Sequence, residues 1–382
     1  GFEARALGMA NAQTAAADDY TATLYNPAAL SARRGVIAGM GLTSSIPNLS
    51  IQLARPATTS GTTPVIPDTK TGVTVGAVVP LGAGIDERVA FGIGIYSPID
   101  YTFRGEILPA QTPQFYRYQS RNDKFVGLAA FSGRITDWLN LGVGVQLMAD
   151  LVGDVGVDFR LSDRRVTGQT ARVEFPTKLA PTAGILVTPI DGLRLGGSWR
   201  DDISLDFSIP SKLTIDNAIQ LDLQVSGIAG YTPETFNFGT AYTVKVIPLL
   251  ISADATYTRW SQAPDPSLKL KLDADGELLS SLGLDDTLDV NGAPGIDLGF
   301  RDTWTLRLGL EHKPNGWLVV RAGYGWHQSP APVPVGSQNY IDPSAHQIGT
   351  GIGFVIAKPM ESYTHAIHLD LAYSITVLND QS

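Results

Sequence analysis

Charged side chains recur at alternate positions along several apolar stretches, and there the sequence has its means of doing chemistry. Lys178, Arg194, Arg200, Asp202, Asp206, Asp254, Arg307, Glu311, Arg321 and Asp370 all fall, by alternation, on the polar face of extended segments. Among the cations, Arg200 and Lys178 are the candidates for holding a carboxylate head group, since a charge-assisted hydrogen bond is strong in a partly dry pocket. The competing use is a self-paired network of arginines and carboxylates that braces the fold. A second group lies near the start of the chain: Asp18, Asp19 and the run Asn26-Pro27-Ala28. Asn-Pro favours a turn in which the Asn side chain bonds backbone amides. These residues therefore either cap turns or belong to a gate.

Other chemistries lack their signatures. The five histidines, at 312, 327, 346, 365 and 368, sit in no His-Glu-x-x-His context, and no Gly-x-Ser-x-Gly is present. Asp273-Ala274-Asp275-Gly276-Glu277 lacks the downstream glutamate of a calcium loop. No catalytic residue, metal ligand set or cofactor is expected. The formal charge of −9 argues against a nucleic-acid partner. The absence of cysteine removes disulfide and thiolate chemistry.

The elements that position the charged residues read as strands. From Val36 onward the period is two, as in Leu139, Leu141, Val143, Val145 and Leu147, or Ile367, Leu369, Leu371, Tyr373 and Ile375. A soluble β-sandwich alternates as well. Three features favour a transmembrane antiparallel β-barrel: strands of nine residues or more, polar faces carrying Arg, Asp and Glu, and aromatics at strand ends. No apolar run reaches the length of a membrane-spanning helix; the best, at 246–251, is short and broken by Pro248.

Tight-turn sequences such as Pro314-Asn315-Gly316 alternate with long polar connections around 55–70, 102–121, 160–170, 208–218, 262–298 and 328–345. The division is residues 1–35 as an Ala-rich plug inside the barrel and 36–382 as the barrel. Thirteen strands are legible. Closed antiparallel barrels need an even number, so a final strand is expected to be absent from this sequence. The abrupt opening on Gly1 gives the further expectation of processing.

On these residues the chain resembles the FadL-type long-chain fatty-acid and hydrocarbon transporters of Gram-negative outer membranes. The resemblance runs over nearly the whole chain. It is carried by Leu7-Gly8-Met9-Ala10, Ala17-Asp18-Asp19, Asn26-Pro27-Ala28, Tyr257-Thr258-Arg259-Trp260-Ser261 and Arg321-Ala322-Gly323-Tyr324 with Ser329-Pro330-Ala331-Pro332. It implies a fourteen-stranded barrel with an N-terminal hatch, and passive outer-membrane uptake of a hydrophobic small molecule. Substrate would leave sideways where the third strand kinks, here at Ser97-Pro98. Proline cannot donate to the ladder, so it either opens a gap there or ends the strand. Phe2, Met9, Tyr96 and Phe115 would line the alkyl path or simply pack. Expected partners are a hydrophobic ligand, outer-membrane lipid or lipopolysaccharide, and proteins that meet the outer loops. A different class of function, a structural or docking subunit of an outer-membrane assembly, would be favoured by long ordered outer loops and an occluded pocket.

Overall fold

The structure is a computed structural model. It describes residues 3–51, 64–81, 88–100, 112–118, 124–149, 152–160, 165–174, 177–215, 219–266, 269–275, 297–333, 339–357 and 366–380.

The alternating segments form β1 (Ile37–Ser45), β2 (Lys70–Leu81), β3 (Val89–Pro98), the two-residue β4 (Gln114–Phe115), β5 (Val126–Arg134), β6 (Leu139–Ala149), β7 (Val152–Arg160), β8 (Arg165–Glu174), β9 (Thr177–Ile190) and β10 (Leu193–Arg200). They continue as β11 (Ile203–Ile215), β12 (Ile219–Thr232), β13 (Thr235–Val244), β14 (Leu249–Thr258), β15 (Lys269–Asp275), β16 (Thr303–His312), β17 (Leu318–His327), β18 (Tyr340–Ile341), β19 (Ala345–Ile356) and β20 (Ile367–Leu378).

Thirteen of them pair in one antiparallel sheet, in the order β1-β2-β3-β5-β6-β9-β10-β13-β14-β16-β17-β19-β20. This matches the thirteen strands legible in the sequence. Since the number is odd, β1 and β20 run in the same direction. They stand at the two ends of the sheet and are not paired with each other among the described residues.

Burial inverts the logic of a soluble protein. On β16, Thr303, Thr305 and Glu311 point inward and are buried, whereas Trp304, Leu306, Leu308 and Leu310 point outward and are exposed. On β14 the buried residues are Leu250, Ser252, Asp254, Thr256 and Thr258. A polar interior and an apolar exterior are what a lipid-facing barrel requires. Aromatic pairs mark both rims of the apolar band. Tyr257 and Trp304 lie 5.1 Å apart at one rim, and Trp317 stacks on Phe354 at 6.3 Å at the other.

One end of the sheet carries short connections. Asp191-Gly192 closes the β9–β10 hairpin, with Gly192 at a φ of 88° that a side chain would disfavour. At the other end, excursions from three successive loops pair into a second sheet, β15-β12-β11-β7-β8, in which β11 and β7 are parallel. This corrects one boundary drawn from the sequence. The alternation from Leu193 to Phe207 reads as one strand, but β10 ends at Arg200 and β11 opens at Ile203 in the second sheet. The break falls at Asp201-Asp202, where two adjacent carboxylates disfavour continued pairing. Regions expected as loop around 160–170 and 208–218 are strand for much of their length.

Residues 3–35 occupy the lumen. Two short helices, α1 (Ala4–Gly8) and α2 (Ala22–Tyr25), precede a 3₁₀ helix at Pro27–Ala32. Helices this short have no independent stability, so packing must hold them. Small side chains permit it: Ala10, Ala12, Ala15, Ala16, Ala17, Ala22, Ala28 and Ala29 are fully buried. The surrounding strands answer with glycine. A β-carbon on Gly323 would lie 2.3 Å from the Met9 carbonyl carbon, and one on Gly142 2.3 Å from the Ala28 amide nitrogen. Backbone therefore packs on backbone where the plug meets these strands.

Candidate functional site

Asn26 anchors the plug. Its side-chain Oδ1 accepts from the Ala28 amide at 3.1 Å and so caps the 3₁₀ helix that Pro27 begins. Its Nδ2 donates to the Thr14 carbonyl at 2.9 Å and to the Ile185 carbonyl of β9 at 3.0 Å. One buried amide thus ties two stretches of plug to each other and to the wall. Asp18 pairs with Arg5 at 2.5 Å, and Asp19 accepts from the Thr21 amide at 2.8 Å. Arg5 also reaches Glu311 at 2.8 Å, and Glu311 with Arg321 and Asp370 extends the chain of charges across β16, β17 and β20. This is the bracing network weighed from the sequence. Glu3 stands beside it and forms no salt bridge among the described residues. Burial, with Asp19 and Asp370 adding to it, pushes its carboxyl up to about 8.

Above the plug lies a chamber of about 290 Å³. Asn11, Thr14, Leu24 and Tyr25 form its floor, and β10, β13, β14 and β16 supply the wall through Arg200, Asn237, Asp254, Thr256, Thr305 and Arg307. The floor is held in unusual backbone geometry: Ala10 and Asn11 are consecutive non-glycine residues with φ of 49° and 65°. The Tyr25 hydroxyl donates to Asn11 Oδ1 at 2.9 Å.

Over the chamber the outer connections make a roof. Tyr116, Phe300 and Tyr340 pack edge to face with centroids 5.0 to 6.3 Å apart, and Trp260 joins them. Beside this cluster, Arg117 donates from Nε to both carboxylate oxygens of the fully buried Asp342 at 2.7 Å, and from Nη2 to the Pro343 carbonyl. Arg117 also lines the chamber. Neither the aromatic cluster nor this ion pair was read from the sequence.

Unsatisfied polar capacity gathers around this cavity. Arg200 Nε, Thr235 Oγ1, Asp254 Oδ1 and Arg307 Nε belong to residues lining the chamber, are buried, and have no hydrogen-bonding partner among the described residues. Among the described residues Arg200 donates to Gln146 Oε1 at 3.3 Å, and Arg307 to Thr256 Oγ1 at 2.8 Å. Neither arginine forms an ion pair among the described residues. Buried groups without partners call for an explanation, and a ligand is one.

The other expected residues separate. Lys178 is displaced from the chamber: its Nζ lies 3.6 Å from the exposed Asp206, beside the second sheet. The lumen placement expected of Asp206 is corrected by the same break that divides β10 from β11. Met9 is fully buried in the plug core, and Tyr96 packs partly buried against that core. Phe115 is buried in β4, among the outer connections. Phe2 lies outside the described residues. Ser97 and Pro98 complete β3 and pair with Val73 and Gly72 of β2, while pairing with β5 stops at Tyr96↔Val126. The strand is therefore unbroken up to its end on the β2 side, and is free of its β5 neighbour for the last two residues.

A second recess, about 630 Å³, lies on the outer wall, with Ala253 and Ala255 among its lining and Phe238, Leu306, Leu308 and Trp326 around them. The ladders β13–β14 and β14–β16 are continuous behind it, so it is a dimple in the lipid-facing surface and gives no passage to the chamber.

The comparisons with known proteins agree with this architecture. The chain is 24% identical to the alkane uptake protein A of Marinobacter nauticus, over 99% of this chain and 81% of that one. Its fold is similar to that of a Pseudomonas aeruginosa FadL homologue, with a TM-score of 0.61 at 15% identity, covering 99% of this chain and 90% of the other. The toluene transporter TodX of Pseudomonas putida aligns with a TM-score of 0.50 at 13% identity, over 100% and 99% of the two chains. A family model described as outer membrane protein transport protein (OMPP1/FadL/TodX) matches residues 2–377. A lipid-facing barrel with a plugged lumen, matched by that model over almost its whole length, belongs to this family of Gram-negative outer-membrane transport proteins.

Proposed function

We propose that the chain carries hydrophobic small molecules bearing an anionic head group inward from the cell surface, and that the chamber above the plug is their binding site. The observation that carries this reading is the pair Arg200 and Arg307, two lumen cations in one cavity that each keep a buried Nε without a hydrogen-bond partner among the described residues. The relatives are named for alkane uptake and toluene transport, which supports a hydrophobic substrate. Two arginines with donor capacity to spare favour one with a polar end. The magnitudes divide the labour: a buried methylene contributes about 0.8 kcal/mol, and a hydrogen bond to a charged group about 1.5–3 kcal/mol. The tail then supplies most of the affinity, and the head group sets orientation and choice.

The exit in this reading is lateral, at Ser97 and Pro98. Two features support it: the plug is packed against the wall so closely that an axial path requires it to leave its seat, and β3 lacks its β5 neighbour at that end. The test is uptake of labelled decanoate by proteoliposomes. Filling the site with S97W should slow release while leaving decanoate binding intact. Equal rates in wild type and S97W would remove the lateral route.

A second reading, a docking subunit of a surface assembly, draws on the five-stranded outer sheet and the closed roof. A stoichiometric protein partner in the purified material, with no decanoate binding, would favour it.

A further inference from the structure

Two hydrogen-bonded lines start at one cross-strand pair in the chamber wall and end on the plug. Asp254 of β14 and Arg307 of β16 lie directly opposite each other. Asp254 Oδ2 accepts from the Thr14 amide of the plug at 2.8 Å. The approach needs Gly239 on the neighbouring strand, where a β-carbon would stand 2.6 Å from Asp254 Oδ1 and 2.7 Å from Thr14 Cβ. From Arg307 the second line runs in one donor direction. Arg307 Nη1 donates to Thr256 Oγ1 (2.8 Å), Thr256 to Asn237 Oδ1 (2.8 Å), Asn237 Nδ2 to Ser198 Oγ (3.1 Å), and Ser198 to the Tyr25 carbonyl (2.7 Å). Bonds aligned this way polarise one another. The two endpoints are themselves joined, because Asn26, next to Tyr25, donates to the Thr14 carbonyl at 2.9 Å.

We propose that Arg307, with Asp254 beside it, is the coupling element that reports occupancy of the chamber to the plug. The inference rests on the reading above, that the chamber takes an anionic head group. Such a group bonded to Arg307 draws the guanidinium from Thr256 and weakens the line to Tyr25. It also sets negative charge next to Asp254 and weakens that carboxylate's attraction to Arg307. Both changes loosen the turn around Thr14 and the approach to Asn26. Coupling of this kind equals the ligand's difference in affinity for the seated and loosened plug, so removing either line must reduce the response, and breaking the second line at Ser198, outside the chamber lining, must leave head-group binding in place. Asp254 and Thr256 are here positioning residues.

The experiment is amide hydrogen exchange of peptides covering residues 9–26, on the full chain in lipid nanodiscs, with and without decanoate, with decanoate binding followed separately by native mass spectrometry. In wild type, bound decanoate should speed exchange about tenfold, equivalent to the loss of one charge-assisted hydrogen bond. S198A breaks the link to the Tyr25 carbonyl at a residue outside the chamber lining and keeps every charge; it should bind decanoate with at most a threefold change and show a blunted response. D254N should exchange faster than wild type before any ligand is added. Decanoate that binds wild type without changing plug exchange overturns the coupling and leaves the binding site standing. A full response in both S198A and D254N overturns it too. Failure of wild type to bind decanoate overturns the chamber reading and the coupling with it.

Discussion

Gly184 of β9 faces the side chain of Asn26 so closely that a β-carbon there would stand 2.1 Å from Asn26 Oδ1. The residue that knots the plug together is thus seated on a strand position where only glycine fits. The seat is part of the motif, although it lies far along the chain from it.

The contact gives a first prediction. G184A must displace the Asn26 side chain or shift β9, an overpacking cost of about 1–3 kcal/mol. The effect should fall on the plug, since the barrel ladders remain. Limited proteolysis should therefore cut within residues 3–35 of G184A under conditions where wild type resists. Unchanged resistance would show that the plug is held by other contacts.

A second prediction concerns pH. The Glu3 carboxyl is pushed up to about 8 in the folded protein, by burial and then by Asp19 and Asp370. A raised folded value means that its contribution to stability is complete below about 4.5, the ordinary value, declines as pH rises, and is gone above about 8. Plug protection in amide exchange should therefore drop between these limits. E3Q, which stays neutral, should flatten the profile. A wild-type profile that is already flat would contradict it.

A third prediction concerns the roof. Asp342 is fully buried against Arg117, and removing one partner of such a pair costs about 3–5 kcal/mol because the other charge is left stranded. D342A should loosen the outer connections, seen as faster protease cleavage near residues 112–118 and 339–343, with the thermal stability of the barrel little changed. Wild-type cleavage rates in D342A would show that the Tyr116, Phe300 and Tyr340 cluster holds the roof alone.

The residues also show what a sequence carries and what it does not. Alternation along Leu139 to Leu147 reports a strand because the bilayer solvates one face and the lumen the other, and the same logic put Asp254 and Arg307 inside. Asn26-Pro27-Ala28 was legible as a turn, since its chemistry is local. Alternation cannot tell a barrel strand from one that leaves the barrel. Asp206 therefore reads as a lumen residue, although it lies on β11 of the second sheet, where it meets Lys178 from the outer end of β9. Nor does it give register. The opposition of Asp254 to Arg307, and of Gly184 to Asn26, arises only when distant segments pair, and that is why Arg307 did not stand out beside Arg200. The roof was illegible for the same reason, being built from Arg117, Trp260, Phe300 and Asp342 on separate connections.

The central claim is that Arg200 and Arg307 select the head group of a hydrophobic ligand in the chamber. It is tested most directly by native mass spectrometry of the purified barrel, with decanoate and decane competing for wild type and for R200Q/R307Q. The account predicts that wild type retains decanoate in preference to decane. The double variant should lose at least tenfold in decanoate affinity, the equivalent of about 1.4 kcal/mol, with little change for decane. Equal retention of the two ligands by wild type, or decanoate binding that survives the double substitution, would contradict it.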